Sequence, residues 1–183
     1  MWIDLAFVLM GFIADNILRM IFPIDTSLRL LVFVPSLGYL AFLYVMLKKP
    51  MPYALLMAVI LGLTVDVIRY EMIANAIAYP VGIYAVKVWS KQLNESLFEQ
   101  VFVGLIGLFL KEFALFLFLF AIRFTQLGLW TWFVHREFLT LIGHIPLLMG
   151  LSYFIRIKTK TQKTLDQRKQ RRERVLWNPT VRP

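Results

Sequence analysis

Residues 62–71 read GLTVDVIRYE and follow the apolar run YALLMAVIL of residues 53–61. The stretch places an aspartate, and then an arginine, where the apolar pattern predicts a membrane-spanning helix. A charged side chain near the middle of a bilayer costs about 2.5–3.5 kcal/mol on insertion scales. What Asp66 contacts therefore decides how the chain folds and to which class of protein it belongs.

The composition is that of an integral membrane protein. The chain has 183 residues, of which 60% are hydrophobic and 15% aromatic, whereas soluble domains are nearer half apolar. Apolar runs long enough to cross a bilayer as helices recur along the chain. The sequence contains no cysteine, which excludes disulfides, thiolate metal sites and thiol catalysis. We therefore expect an all-α integral membrane protein.

Hydrophobic runs predict a bundle of six transmembrane helices joined by short connections. Pro50 and Pro52 separate the second helix from the third. The aromatic and charged stretch 126–137 is interpreted as a loop or an interfacial helix, in which His135-Arg136-Glu137 forms an interfacial charge cluster. The predicted helices cover residues 3–22, 28–47, 53–69, 72–90, 97–122 and 138–157.

The basic residues are concentrated at the C-terminal end of the chain. Residues 1–155 carry ten Lys/Arg against nine Asp/Glu, whereas residues 156–183 carry ten against two. Because Lys and Arg favour the cytoplasmic side, we expect a transmembrane domain of residues 1–157, a basic cytoplasmic tail of residues 158–183, and both termini in the cytoplasm.

The tail is expected to bind anionic lipid or an acidic cytoplasmic partner. Binding of nucleic acid is not expected, because no aromatic stacking platform accompanies the charge. The basic residues assigned to this contact are Lys158, Lys160, Lys163, Arg168, Lys169, Arg171, Arg172 and Arg174.

Small residues spaced by four precede Asp66 on the same helical face. Small side chains let another helix approach closely in a membrane, so Asp66 is predicted to face protein rather than lipid. The fourth predicted helix repeats the pattern, and these faces are expected to pack helices three and four together or to dock a partner. The two stripes are Ala54, Ala58 and Gly62, and Ala74, Ala78 and Gly82.

Charged residues of three helices are predicted to lie at a similar depth. At about 1.5 Å per residue, they lie roughly 18–24 Å from the cytoplasmic ends of their helices. Asp15 with Arg19, and Asp66 with Arg69, have the spacing of pairs within a helix, and Glu112 is available for pairs between helices. These five residues form the predicted intramembrane polar network.

The polar network has several interpretations that the sequence leaves open. The charges hold the helices together, line a polar pocket for a ligand, relay protons or ions, or contact another membrane protein. Lys111 lies about 100° around the helix from Glu112 and is expected to extend outward to the membrane surface. His144 is expected to bond a backbone carbonyl rather than a metal. No catalytic motif is present, so no enzyme activity, cofactor or metal is expected.

Several short motifs point to one family. Lys48-Lys49-Pro50 precedes a helix that ends in Gly62-Leu63-Thr64-Val65-Asp66. Val34-Pro35 lies in the second helix, and Leu110-Lys111-Glu112-Phe113 places an acidic residue in the fifth. With these motifs and its basic tail, the chain resembles MreD, the family of bacterial rod shape-determining membrane proteins. Ala74, eight residues after Asp66, stands where the family usually has glycine, so the turn before it is expected to differ.

The resemblance implies a non-enzymatic membrane scaffold in the bacterial cytoplasmic membrane. It implies a role in peptidoglycan synthesis, as part of the cell-wall elongation complex that maintains cell shape. The partner it implies is MreC, with RodA, a class-B penicillin-binding protein and MreB in the wider complex. The implied fold resembles the substrate-binding components of energy-coupling-factor transporters.

A substrate-capture component of a small-molecule (vitamin-type) transporter is the alternative. Tyr70, Asn75, Tyr79, Arg123 and residues 130–132 would line its pocket. The first helix lacks an Ala-x-x-x-Ala stripe of the kind such components use to dock their transducing partner, which favours the scaffold.

Overall fold

The protein is described by a computed structural model that covers residues 2–22, 32–69, 73–89 and 96–177. Within these ranges most of the chain is helical, and no residue of them is in a β-strand. A π-helical turn, Phe133–Glu137, joins the last two helices without a break. The helices are α1 (Trp2–Ile21), α2 (Leu37–Leu47), α3 (Met51–Arg69), α4 (Ala74–Trp89), α5 (Leu97–Ala121), α6 (Leu129–Trp132) and α7 (Phe138–Trp177).

Three segments are long and apolar enough to cross a bilayer, and α2 is a shorter apolar helix. The three are Met51–Arg69, Leu97–Ala121 and Leu129–Thr161. The prediction of a helical membrane protein is therefore confirmed at the level of class. The last segment includes α6 and the π turn, so most of the stretch interpreted as a loop or interfacial helix is the first part of a long helix.

One end of the bundle is held by lysines. Asp4, near the start of α1, pairs with Lys49 at 3.9 Å and with Lys158 of α7 at 2.6 Å. Lys87, near the end of α4, donates to the backbone carbonyls of Met46 and Lys49. The start of α1, the α2–α3 connection, the end of α4 and the middle of α7 therefore meet here. We name this the basic end, defined by Lys49, Lys87 and Lys158.

The core of the bundle is α2. All of its residues except the last are buried, and it packs against α1, α4 and α5. A helix that is apolar on every side is typical of a protein core or a membrane span, and here the neighbouring helices surround it. Its two tyrosines satisfy their hydroxyls on α5, where Tyr39 donates to the carbonyl of Gly107 and Tyr44 to that of Gln100.

The predicted start of the second helix at residue 28 is wrong for the residues that the structure describes. Residues 32–36 are extended, and α2 begins at Leu37. Pro35 explains the break, because proline lacks an N–H group and disfavours the helical conformation at Val34. At about 3.3 Å per extended residue and about 1.5 Å per helical residue, residues 32–47 still span roughly 33 Å. That length matches a hydrocarbon core about 30 Å thick.

The small-residue stripe of α3 packs against α4. Ala54 and Ala58 are fully buried. A Cβ atom built on Gly62 would lie 2.5 Å from the carbonyl oxygen of Asn75 and 2.6 Å from the Cα of Ala76. Glycine is therefore required at this contact, because the helices touch through their backbones.

The stripe of α4 is also used inside the chain. Ala74 and Ala78 are buried, and Gly82 lies against the Tyr39 hydroxyl of α2 and the carbonyl of Gly107 on α5. Both predicted stripes therefore pack helices of this chain against one another.

Substitution of Gly62 tests the backbone contact between α3 and α4. We expect Gly62→Ala to destabilise the protein by about 1–3 kcal/mol, as overpacking does. The matched control is Gly150→Ala on α7, where a Cβ atom meets nothing within 4 Å. Because alanine is a better helix former by about 1 kcal/mol, the control is expected to be neutral or stabilising. Thermal unfolding of the two variants in detergent gives the comparison, and equal stability would contradict the assigned contact.

Candidate functional site

Asp15 of α1 caps the start of α2. Its carboxylate oxygens accept hydrogen bonds from the backbone N–H groups of Leu37 at 2.5 Å and Gly38 at 2.8 Å. The first amides of a helix have no partner within that helix, and a negative charge is favoured at this end. Ser36 occupies the usual capping position without making a cap bond, so the previous helix supplies the acceptor.

Asp66 of α3 does the same for α4, which begins at Ala74. One oxygen accepts from the backbone N–H of Asn75 at 3.1 Å and from its side-chain amide at 2.8 Å. The other oxygen accepts from the N–H of Ala76 at 2.9 Å. The apolar run of α3 therefore ends in an aspartate because the next helix starts beside it and needs an acceptor.

The two hairpins α1–α2 and α3–α4 are capped in the same way, by an aspartate of the first helix that binds the first amides of the second. Their sequences GFIAD (residues 11–15) and GLTVD (residues 62–66) each place a glycine one turn before the aspartate. A Cβ atom on Gly11 would lie 3.0 Å from the Cα of Gly38, so this glycine also brings two helices into close contact. The sequence analysis missed this repeat, although the Gly-x-x-x-Asp spacing is visible in both segments.

Glu112 of α5 lies at a similar distance along its helix but binds cations instead of amides. Its Oε1 pairs with Lys111 Nζ at 2.5 Å and its Oε2 with Arg136 Nη2 at 3.2 Å. Lys111 and Glu112 are both buried. We name Lys111, Glu112 and Arg136 the ion cluster.

The predicted outward extension of Lys111 is wrong. Its ammonium group donates to the Ser36 hydroxyl at 2.9 Å as well as pairing with Glu112. It also lies 5.4 Å from the ring centre of Tyr39 and 6.0 Å from that of Tyr79. A carboxylate, a hydroxyl and two aromatic faces together satisfy a buried ammonium group, so the side chain turns inward.

The extended residues 32–36 bind to the π turn and the first turns of α7. Two residues of extended chain advance about 6.6 Å and four residues of helix about 6 Å, so alternate amides meet acceptors one turn apart. Non-helical backbone at membrane depth is tolerated only when protein satisfies it. The bonds run from Val32 N to the His135 carbonyl at 2.8 Å, from Val34 N to Thr140 Oγ1 at 3.2 Å and from Ser36 N to His144 Nε2 at 3.1 Å.

His144 is an uncharged acceptor in this arrangement. Its Nε2 accepts from the amide of Ser36, which can only donate. Its Nδ1 therefore carries the proton and donates to the carbonyl of Thr140 at 2.7 Å. This agrees with the expectation of a bond to a backbone carbonyl. In the described ranges no three His, Asp or Glu side chains group as metal ligands.

Glu137, predicted from the sequence to belong to an interfacial charge cluster, is a buried carboxyl group. It is 0% exposed, and both of its carboxylate oxygens lack a hydrogen-bond partner among the residues that the structure describes. It is the last residue of the π turn, and π turns occur frequently at functional sites. Its burial is not visible in the sequence, because the aromatic and charged stretch 126–137 is typical of a loop or an interfacial helix.

The two arginines of the predicted polar network lie at the ends of their helices. Arg19 is partly buried one turn beyond Asp15, and Arg69 is the partly buried last residue of α3. Asp15 and Asp66 bind the amides of the following helices, Glu112 belongs to the ion cluster, and the charge of Arg19 acts on Asp15.

The residues proposed for a transporter pocket are dispersed. Asn75 belongs to the α4 cap and Tyr79 is buried beside Tyr39. Trp132 is buried, whereas Trp130 is exposed, as is Arg123. Residue 70 lies outside the described ranges.

The basic tail begins inside the bundle and continues as a helix. Lys158 pairs with Asp4 and lies 5.0 Å from the ring centre of Phe7, whereas Lys160 is exposed. The backbone of α7 is helical as far as Trp177. This part of the helix carries Lys163, Arg168, Lys169, Arg171, Arg172 and Arg174.

Comparison with known proteins adds no relative. No family model, no curated protein and no solved structure matches the chain. The resemblance to the MreD family therefore stays a prediction that depends on the motifs quoted above.

Removal of the Asp15 carboxylate tests the cap on α2. Asp15→Ala leaves two buried N–H groups without an acceptor, each costing about 1–3 kcal/mol, so we expect a large loss of stability. Asp15→Asn, which keeps one acceptor oxygen, is expected to be intermediate. Hydrogen exchange at Leu37 and Gly38, measured by mass spectrometry, should accelerate in parallel. The control is Asn16→Ala at the neighbouring exposed position, and equal protection in both alanine variants would contradict the cap.

Proposed function

We propose that this chain is a non-enzymatic scaffold of the bacterial cell-wall elongation complex, which binds MreC and helps to maintain cell shape. The observation that supports this most directly is how the buried charges are used. Asp15 and Asp66 each satisfy the start of the next helix, and Lys111 with Glu112 joins α5 to α2. Charges used in this way hold one bundle geometry, which a scaffold needs in order to present fixed surfaces to its partners.

The proposal includes six membrane spans. These are α1, residues 32–47, α3, α4, α5 and the segment Leu129–Thr161. The basic end is assigned to the cytoplasm, because Lys and Arg are enriched on that side of membrane proteins. The helical tail then extends from the cytoplasmic face, where anionic lipid and cytoplasmic members of the complex such as MreB are available to it.

A single-span partner such as MreC has exposed helix faces to bind. In the described ranges, α1 and α3 each pack chiefly on one neighbour, α2 and α4 respectively. Apolar side chains cover their outer faces, among them Met10, Ile13, Ile17, Ile60 and Ile68. RodA and a class-B penicillin-binding protein are proposed as members of the same wider complex.

One observation favours the alternative, a substrate-capture component of a vitamin-type transporter. Residues 32–36 interrupt the second span beside the ion cluster, and interrupted helices mark binding sites in many transporters. The amides of Val32, Val34 and Ser36 are already bonded to the π turn and to α7, however, so the break is satisfied within the protein.

Purification from bacterial membranes distinguishes the two functions. We expect MreC to co-purify with the tagged wild-type protein after mild cross-linking. Recovery of a transporter ATPase, or of a tightly bound vitamin, in place of MreC would overturn the scaffold proposal.

Asp66→Leu tests whether the bundle geometry supports partner binding. Loss of the acceptor for three hydrogen bonds is expected to lower the protein's abundance in the membrane, its co-purification with MreC, or both. Val67→Leu, at the neighbouring exposed position, is the control and should behave as wild type. If Asp66→Leu accumulates and binds MreC normally, the role assigned to this carboxylate is wrong.

The orientation is tested by single cysteines, since the chain has none of its own. Gly128→Cys and Lys160→Cys introduce thiols at exposed positions on either side of the segment from α6 to the tail. In intact spheroplasts we expect a membrane-impermeant maleimide to label the cysteine at 128 and to leave the one at 160 unmodified until the membrane is opened. The reverse pattern would place the basic end outside the cytoplasm.

A further inference from the structure

We propose that Glu137 is a proton-binding site inside the bundle, which carries its proton as a neutral carboxylic acid in the arrangement described here. Glu137 takes no part in the proposed function, so it can bind a proton whether the protein is a scaffold or a capture component.

Glu137 differs from the other three buried carboxyl groups that the structure describes. Asp15 accepts two backbone N–H groups, Asp66 accepts three N–H donors, and Glu112 pairs with an ammonium and a guanidinium group. Glu137 is as deeply buried but neither of its oxygens accepts a hydrogen bond within the described ranges. An ionised carboxylate removed from water needs such donors, whereas the neutral acid is far less costly to bury.

Charged groups of α5 and of the π turn surround Glu137. Those that act on it are Lys111 and Glu112 of α5 and Arg136 of its own π turn. Both cations are already bound to Glu112. The His144 ring is uncharged, since its Nε2 accepts a hydrogen bond. Glu137 therefore faces a negative carboxylate that already binds both neighbouring cations.

Release of the proton requires a new donor, and the structure offers one. The Nε of Arg136 is buried and has no hydrogen-bond partner among the described residues, while its Nη2 binds Glu112. We infer that the guanidinium group turns from Glu112 toward Glu137 when the proton leaves to water. The O–H bond of Glu137 is the one covalent bond that breaks in this step, its proton passes to water, and one ion pair is exchanged for another.

The exchange would be transmitted beyond the ion cluster. The neighbouring residue His135 accepts the N–H of Val32 through its carbonyl, so the π turn that carries Arg136 and Glu137 also holds the extended segment before α2. Protonation of Glu137 is therefore linked to the position of the chain that leads into the central helix.

Infrared spectroscopy of the full-length protein in lipid nanodiscs tests the proton directly. Wild-type protein at neutral pH is expected to show the C=O stretch of a protonated carboxylic acid, and this band should disappear as the pH is raised. Glu137→Gln is expected to lack the band at every pH. The control is Glu99→Gln, which makes the same change at the solvent-exposed capping box of α5 and should retain it.

Glu112→Gln separates a proton site from a carboxyl group that is merely buried. Removal of the Glu112 charge frees Lys111 and Arg136, so Glu137 is expected to ionise and the band to be lost although Glu137 is present.

Dicyclohexylcarbodiimide gives a second measurement. The acid O–H adds across a C=N bond and the adduct rearranges to a stable N-acylurea with no leaving group, so a label is expected at Glu137 in wild type.

Four results would contradict the proton site at Glu137 or the exchange of Arg136. Identical carboxylic-acid bands in wild type and Glu137→Gln would overturn the proposal, as would carbodiimide labelling of Glu112 in place of Glu137. A band that persists in Glu112→Gln would overturn the exchange of Arg136. Glutamine has the size and neutrality of the protonated acid, so Glu137→Gln should have the same melting temperature as the wild type. Failure of this variant to fold would also count against the proposal.

Discussion

The fold depends on one constraint, which is that a helix starting inside the bundle must have acceptors for its first amides. These N–H groups have no partner in their own helix, and little water is available at that depth. The protein meets the constraint with carboxylates of the preceding helices, Asp15 for α2 and Asp66 for α4. Each cap also sets the register of its hairpin, because only one alignment brings the aspartate over the amides and the glycine one turn earlier against the next backbone.

The features that local spacing controls could be predicted from the sequence. Apolar runs predicted helical membrane character, and the small residues before Asp66 predicted that it faces protein. The partners of Asp66 could not be predicted, because backbone amides leave no pattern in the sequence, whereas Arg69 at a spacing of three is visible. Pro35 was noted in the sequence, but the continuous apolar run around it favoured an uninterrupted helix. The break is stable only because acceptors on the distant α7 lie beside it.

The direction in which a long side chain turns could not be predicted from the sequence either. The helical position of Lys111 points away from Glu112, yet its flexible side chain turns inward to the groups that satisfy an ammonium ion. The burial of Glu137 depends on the π turn, which shifts the helical register by adding residues to one turn. Hydrophobic periodicity does not detect such a turn, so the segment resembled a loop.

The third hairpin, formed by α5 and the continuous segment from α6 to α7, does not use the cap of the first two. Its acidic residue, Glu112, lies roughly 22 Å along α5, as Asp66 does along α3. Here α6, the π turn and α7 are continuous, and the first amides of α2, which starts beside the ion cluster, are already bound by Asp15. Glu112 is balanced by cations instead, and Glu137 has no hydrogen-bond donor among the residues that the structure describes. Proteins tend to break a local structural rule at functional sites, and the aspartate cap of the first two hairpins is such a rule here. The first four helices thus supply a fixed frame, and the α5–α7 hairpin is where a ligand, a proton or a change of conformation would act on it.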